Sequence, residues 1–202
     1  MPQQNTSKVT LHIFLVRHYK PAISRSGWFN HKQATQFVSK YDAAGIEAIL
    51  NKPKVLLFEQ IKRVHCSALP RAKQTALALF GPEVELVEDK IFNECERKIL
   101  ALPLFRFPIS VWLAGARLLW LMGLNNKEIE SYNKARQRAK EAAEILAHYA
   151  EEEIRTVLVA HGMLNIFIRR SLVKMGWKVI RKGGNGYLAV TELVKNARYS
   201  AL

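Results

Sequence analysis

The stretch Phe14-Leu15-Val16-Arg17-His18 decides how the chain is read. Three apolar side chains run without interruption into an arginine and a histidine. With Val9, Leu11 and Ile13 ahead of them, they make an apolar run of strand length. Such a run is expected of a strand buried on both faces of a sheet. A second run of the same kind, Val157-Leu158-Val159-Ala160-His161-Gly162, lies near the other end. A histidine at the exit of a buried strand stands at the carboxyl edge of its sheet, where open α/β sheets bind ligands.

Outward from these runs, breakers divide the chain. Residues 9–16 are the first strand, and 17–30 a loop carrying Pro21, Ser24, Ser26 and Gly27. Residues 32–41 read as a helix, and 45–50 as a shorter helical piece ended by Asn51-Lys52-Pro53. A strand at 61–66 precedes a helix at 70–79, which Gly81-Pro82 stops, and a strand at 84–87 follows. Residues 93–106 are irregular, and Asn125-Asn126 is a turn. A long helix at 127–152 has Ile129, Tyr132, Ala135, Ala139, Ala143, Leu146 and Tyr149 near the helical period. Then come a strand at 156–160, a helix at 163–175, the turn Gly183-Gly184-Asn185-Gly186 and a last strand at 187–193. Strands alternating with helices imply an α/β three-layer sandwich, with a mostly parallel central sheet and helices on both faces. Its 202 residues suit one domain over 1–202.

The formal net charge is +14, which points to anionic partners or to solubility. Cys66 and Cys95 have neither metal-ligand spacing nor the count of a disulfide framework, and the first eight residues are polar. A reduced, cytoplasmic setting is expected. Residues 99–124 are strongly apolar but interrupted by Arg106, Pro108 and Arg117, so a transmembrane span is not expected. They read as an inserted apolar helix at 108–123 packed on the domain, with contact to a membrane surface as the alternative. The basic stretches at 134–140 and 174–182 lack aromatic interleaving or a groove-reading motif, so nucleic acid is disfavoured as a partner.

The chemistry-bearing residues cluster at strand exits. In Ser67-Ala68-Leu69-Pro70-Arg71-Ala72-Lys73-Gln74-Thr75-Ala76, Ser67 is placed to cap the helix and Pro70 suits its first turn. Arg71 breaks a local rule, because a cation in a helix's first turn is disfavoured by the helix dipole. A bound anion reverses that; pairing with a nearby acid is the plainer account. In a doubly wound sheet, Arg17, His18, Arg71 and His161 converge on one edge. Two arginines and two histidines around one point make a phosphate site. One neutral imidazole can attack phosphorus, and the other can hold the charge that develops on the phosphoryl oxygens.

These residues carry a family resemblance. Leu15-Val16-Arg17-His18 resembles the Arg-His signature of the histidine phosphatase superfamily, with its phosphoglycerate mutase-like fold. The segment from Ser67 to Ala76 resembles that family's Ser-x-x-x-Arg-Ala-x-Gln-Thr-Ala, and 157–162 resembles its second-histidine strand. Order and spacing agree over about residues 10 to 195. The resemblance implies a metal-independent phosphomonoesterase without a cofactor, acting on a phosphorylated small molecule or phosphoprotein. It implies His18 as the nucleophile, and Arg17, Arg71 and His161 as the phosphate pocket. It also implies an acid after the third strand, where Glu94 stands with Glu96 as competitor. Tyr19 replaces the usual small residue, and Cys95-Glu96-Arg97-Lys98-Ile99 replaces a Gly-rich segment. The first loop favours a phosphatase over a mutase. A phosphate-binding regulatory module with little turnover is the alternative. In this fold, insertions such as 99–124 cover the pocket, which brings in Trp112, Leu113, Arg117 and Trp120 either as substrate-lining or as core residues. Lys20 and Asn165 are undecided.

Overall fold

The first apolar run forms the long strand β1 (Ser7–Arg17), at the centre of a six-stranded sheet. A computed structural model describes residues 7–51, 61–124 and 127–199. The other elements in chain order are β2 (Trp28–Phe29), α1 (His31–Ala43), β3 (Arg63–Ser67), α2 (Pro70–Phe80), β4 (Glu85–Asp89), β5 (Phe107–Pro108), α3 (Ile109–Leu121), α4 (Tyr132–Glu153), β6 (Arg155–Ala160), α5 (Gly162–Lys174), β7 (Lys178–Arg181) and β8 (Val190–Tyr199).

The strand order is β4-β3-β6-β1-β8-β7. The four strands from β4 to β1 run parallel, and β8 and β7 add antiparallel pairs at one side. The sheet is therefore mixed but mostly parallel. Side chains alternate along β1, as strand geometry requires. Leu11, Ile13 and Leu15 pack with α4 and α5, while Phe14 and Val16 pack on the other face with Ala72, Ala76 and Leu79 of α2. Helix α4 presents Ala135, Ala139, Ala142, Ala143 and Ala150, all fully buried. Small side chains let its axis lie close over the sheet. A third cluster joins α1 and α3 through Phe37, Tyr41, Ile109 and Trp112.

Several boundaries differ from the sequence reading, each for a local reason. Residues 45–50 form no helix; Ile46 instead makes an isolated bridge to Pro21, and its N–H donates to Gln74 Oε1 at 2.9 Å. Helix α4 starts at Tyr132 rather than 127 because Ser131 caps it and Glu128 sits at φ 67°. The short pair β2–β5 was not anticipated from sequence. Neither was β7, whose four residues are all exposed and show no apolar alternation. The last strand begins at Val190, because 183–189 is spent on the turn and on Leu188 at φ 56°. A Cβ on Gly183 would lie 2.6 Å from the Val190 carbonyl oxygen, so that turn requires glycine. Lys52-Pro53 and Asn125-Asn126 lie outside the described residues.

The candidate active site

Register brings the strand exits level. Arg17 pairs with Ala160 across β1 and β6, and Cys66 with Val159 across β3 and β6. His18 and His161 therefore follow side by side, with Ser67 level with Ala160, one step behind them. His18 N–H donates to Ala160 O at 2.9 Å, which extends the ladder one step past β1. The two imidazoles lie 5.0 Å apart, centroid to centroid, and both are buried.

Hydrogen bonding fixes each ring. His18 Nδ1 lies 2.6 Å from Tyr19 O, and a carbonyl only accepts, so Nδ1 carries the proton and Nε2 keeps its lone pair. For His161 the argument runs through Ser67. The Ser67 hydroxyl donates to Asn93 Oδ1 at 2.8 Å, an oxygen that also accepts from Ala68 N–H at 3.1 Å. With its hydrogen so used, Ser67 Oγ accepts from His161 Nε2 at 2.8 Å. His161 Nδ1 is left buried and without a partner among the described residues. Burial pushes both histidines down, His18 to about 3 and His161 well below its usual value; the neighbouring Arg71 and Arg17 add to the effect. Both rings are neutral near pH 7.

The arginines frame the pair. Arg71 is wholly buried in the first turn of α2, where Leu69 holds the cap position without a side-chain bond and Ser67 Oγ accepts from Leu69 N–H at 3.2 Å. Its guanidinium donates to Tyr41 O at 3.0 Å and to Asp42 Oδ1 at 3.1 Å, so the pairing account holds for that end. Its Nε is buried and unpartnered among the described residues, as is that of Arg17. The Arg17 guanidinium lies 4.9 Å from the Tyr187 ring centroid and donates to Asn185 O. A Cβ on Gly162 would sit 3.4 Å from Arg17 Nε, so the helix-opening glycine lets Arg17 lie against the start of α5.

Glu94 is held at the same place. Its carboxylate accepts from Leu164 N–H at 3.3 Å and Cys95 N–H at 3.0 Å, and lies 3.5 Å from Met163 N, at the amino end of α5. A carboxylate there is favoured by the free amides and the helix dipole. Glu96 points elsewhere, accepting from Glu130 N–H at 2.6 Å. Lys20 pairs with Glu47 at 2.8 Å, the plain outcome for a loop lysine. Asn165 donates to Val16 O at 3.2 Å and leaves its Oδ1 buried and unpartnered among the described residues. Trp112 and Trp120 are buried, their indoles donating to Phe29 O and Glu130 O, as core residues do.

A cleft of about 330 Å³ opens beside this group, lined by Arg17, Glu94, Gly162 and Asn165. Leu113, Ala114 and Arg117 of α3 also line it, with Arg25, Arg97 and Arg169. Sequence reasoning missed Arg25, Arg97 and Arg169 as cleft residues. The run of cations without an acid over 97–127 is a signal for Arg97 alone; Arg25 and Arg169 carry none. It also missed the brace in the 67–76 segment: Ser67 orients His161, and Thr75 Oγ1 accepts from Tyr19 N–H at 2.9 Å. Cys66 and Cys95 are buried free thiols, pushed up to about 12 by burial, and so unreactive.

Comparison with known proteins places the fold. The family model for the histidine phosphatase superfamily (branch 1) matches residues 13–200. A mycobacterial glucosyl-3-phosphoglycerate phosphatase solved with VO3 is 21% identical, with a TM-score of 0.54 over 95% of this chain and 100% of that one. A phosphoglycerate mutase from Bacillus anthracis is 16% identical, with a TM-score of 0.52 over 99% and 95%. A phosphoserine phosphatase variant from Entamoeba histolytica, solved with phosphoserine, is 13% identical, with a TM-score of 0.50 over 94% and 96%. At these identities the likeness is one of fold. No curated protein sequence gives a match.

Proposed function

The chain belongs to the histidine phosphatase superfamily, branch 1, and from that premise we propose that it hydrolyses phosphomonoesters through a phosphohistidine on His18. The observation that carries the reading is the set of buried nitrogens without partners around one point. Arg17 Nε, Arg71 Nε and His161 Nδ1 are buried without partners among the described residues near His18, whose Nδ1 bond to Tyr19 O leaves the lone pair on Nε2. Buried polar atoms are ordinarily satisfied; a phosphoryl group would accept from the two arginine Nε–H groups, and from His161 Nδ1 once that nitrogen is protonated.

In the proposed reaction, His18 Nε2 donates its lone pair to phosphorus as the P–O ester bond breaks. Protonated Glu94 turns from the amides of α5 and gives its proton to the leaving oxygen. Water then attacks the phosphohistidine, loses a proton to Glu94, and releases phosphate as the P–N bond breaks. Arg17 and Arg71 hold the equatorial oxygens through both steps. A phosphate dianion beside His161 opposes the pull of the arginines, letting Nδ1 take a proton and donate to the same oxygens. The substrate is a phosphorylated small molecule or a phosphoprotein. That Leu113, Ala114 and Arg117 line the cleft beside Arg17 and Glu94 supports a wall for its pocket built from residues 99–124.

A phosphate-binding module with little turnover is the second reading. The engagement of Glu94 by α5 and of Arg71 by Asp42 favours it. The deciding experiment is turnover of an aryl phosphate, with and without chelator, by the intact chain and by His18→Ala. The phosphohistidine reading expects chelator-resistant activity that falls on the order of 10⁴-fold in the variant. Activity surviving His18→Ala, or abolished by chelator, overturns it. Phosphate binding without any turnover selects the module.

A further inference from the structure

Residues 97–127 contain Arg97, Lys98, Arg106, Arg117 and Lys127, and not one Asp or Glu. Within them, α3 is apolar on both its inner and its outer face, with Ser110 and Arg117 as its polar side chains. One face, with Ile109, Trp112, Leu113, Ala116 and Trp120, is buried against the domain. The other face, with Val111, Ala114, Gly115, Leu118, Leu121 and Met122, is open to solvent. Leu118 is 59% exposed and Met122 63%. A helix with an apolar outer face as well as an apolar inner one is suited to a core or to lipid.

The face continues beyond the helix. Leu104, Phe105 and Trp28 are all exposed at the amino end of α3. The β2–β5 ladder pairs Trp28 with Pro108, and Arg106 donates to Trp28 O at 3.3 Å. Phe105 stacks on Phe107 at 5.9 Å. A contiguous apolar surface of this kind marks an interaction site.

We propose that this face docks on an anionic lipid surface, with α3 lying in the interfacial plane. Charge selects the occupant. Lys98 is paired with Glu128 at 2.9 Å, but Arg97, Arg106, Arg117 and Lys127, with the chain's net +14, repel a second copy of the chain and attract anionic headgroups. An apolar face with tryptophan and a basic border is the composition of an interfacial helix. Length selects the orientation. Thirteen residues at about 1.5 Å each span about 20 Å, short of a hydrocarbon core of about 30 Å. Ala114 and Arg117 also line the arginine-rich cleft, so docking brings its mouth to the headgroup layer. The proposal goes beyond the phosphatase reading and does not depend on it.

The test is sedimentation of the full chain with vesicles of phosphatidylcholine mixed with phosphatidylglycerol, against phosphatidylcholine alone. Binding is expected to the mixed vesicles, to weaken as salt rises, and to weaken at least tenfold in Leu118→Glu with Met122→Glu. A second pair, Leu104→Gln with Phe105→Gln, is expected to weaken it less. Circular dichroism and urea midpoints check that each variant is folded. Absence of binding to mixed vesicles, or equal binding by the folded glutamate variant, overturns the proposal. So does light scattering that finds a dimer dissolved by the same substitutions, because the face then belongs to a second copy. Binding is read without turnover, so failure of docking and failure of the phosphatase reading are separate results.

Discussion

The carboxyl edge of the sheet and helix α3 break the burial rule in opposite directions. The edge buries Arg71, His18 and His161, side chains that water would solvate. The helix exposes Val111, Leu118, Leu121 and Met122, side chains that water rejects. The edge keeps its groups because the chain partly satisfies them: Asp42 and Tyr41 O hold Arg71, Ser67 holds His161, and Tyr19 O holds His18. What those partners leave over is a few nitrogen positions of phosphate-binding type. The exposed face of α3 has no such internal compensation. Misplaced polarity at the edge thus points to a small anion, and misplaced apolarity on α3 to an extended surface.

Substitutions at the edge test the comparison most severely. Arg17→Ala is expected to lower kcat/KM for an aryl phosphate by about 10² to 10³, as loss of a charged donor to the transferring group does. A loss under tenfold would mean that Arg17 serves Tyr187 and Asn185 rather than phosphate. Next comes the acid. Glu94→Gln is expected to lower kcat by about 10², and more for an alkyl ester than for an aryl ester, whose leaving group needs less help. Glu96→Gln, tied to Glu130 N–H, is expected to leave kcat within about twofold. The reverse pattern would move the acid to Glu96.

Acid titration of stability sharpens what burial at the edge costs. An unfolded histidine takes up a proton near pH 6.5, but folded His65 does so only near 4 and folded His18 only near 3. Between those values the unfolded chain binds more protons, so stability is full above about pH 6.5 and falls as the pH drops towards 3. Each such histidine contributes a slope of about 1.4 kcal/mol per pH unit within its window. His65 has no ring-nitrogen partner among the described residues and packs on Tyr149 at 4.3 Å. His65→Phe should therefore flatten the decline by one histidine's share while leaving turnover intact. Urea midpoints measured across that range check it, and an unchanged slope would mean that His65 is not the group responsible. The smallest effect belongs to α3: Leu118→Glu should move the unfolding free energy by no more than about 0.5 kcal/mol, because its side chain gives little to the core. A larger loss would make the exposed face part of the fold.

The fold was legible where apolar runs were long. Residues 9–16, 156–160 and 70–79 were placed to within about two residues, because buried parallel strands and an amphipathic helix both write a clear pattern. The exposed strand β7 has no such pattern; pairing with β8 makes it a strand, and that pairing is not written in Lys178, Val179, Ile180 and Arg181 themselves. At the site, the strand-end residues could be read because chain order and sheet order put them on one edge. Their partners could not. Ser67 to His161 spans 94 positions and Glu94 to Leu164 spans 70, and such contacts are set by how elements pack rather than by local spacing.

The bond from His18 Nδ1 to Tyr19 O deserves a last consequence. The atom that fixes which nitrogen of His18 is free belongs to the main chain of the very next residue, so every side chain at position 19 supplies it equally. Tyrosine in place of a small residue there leaves the reactive tautomer untouched. Position 19 can thus vary in what it shows to the cleft while the His18 ring beside it, the nucleophile we propose, keeps the same tautomer.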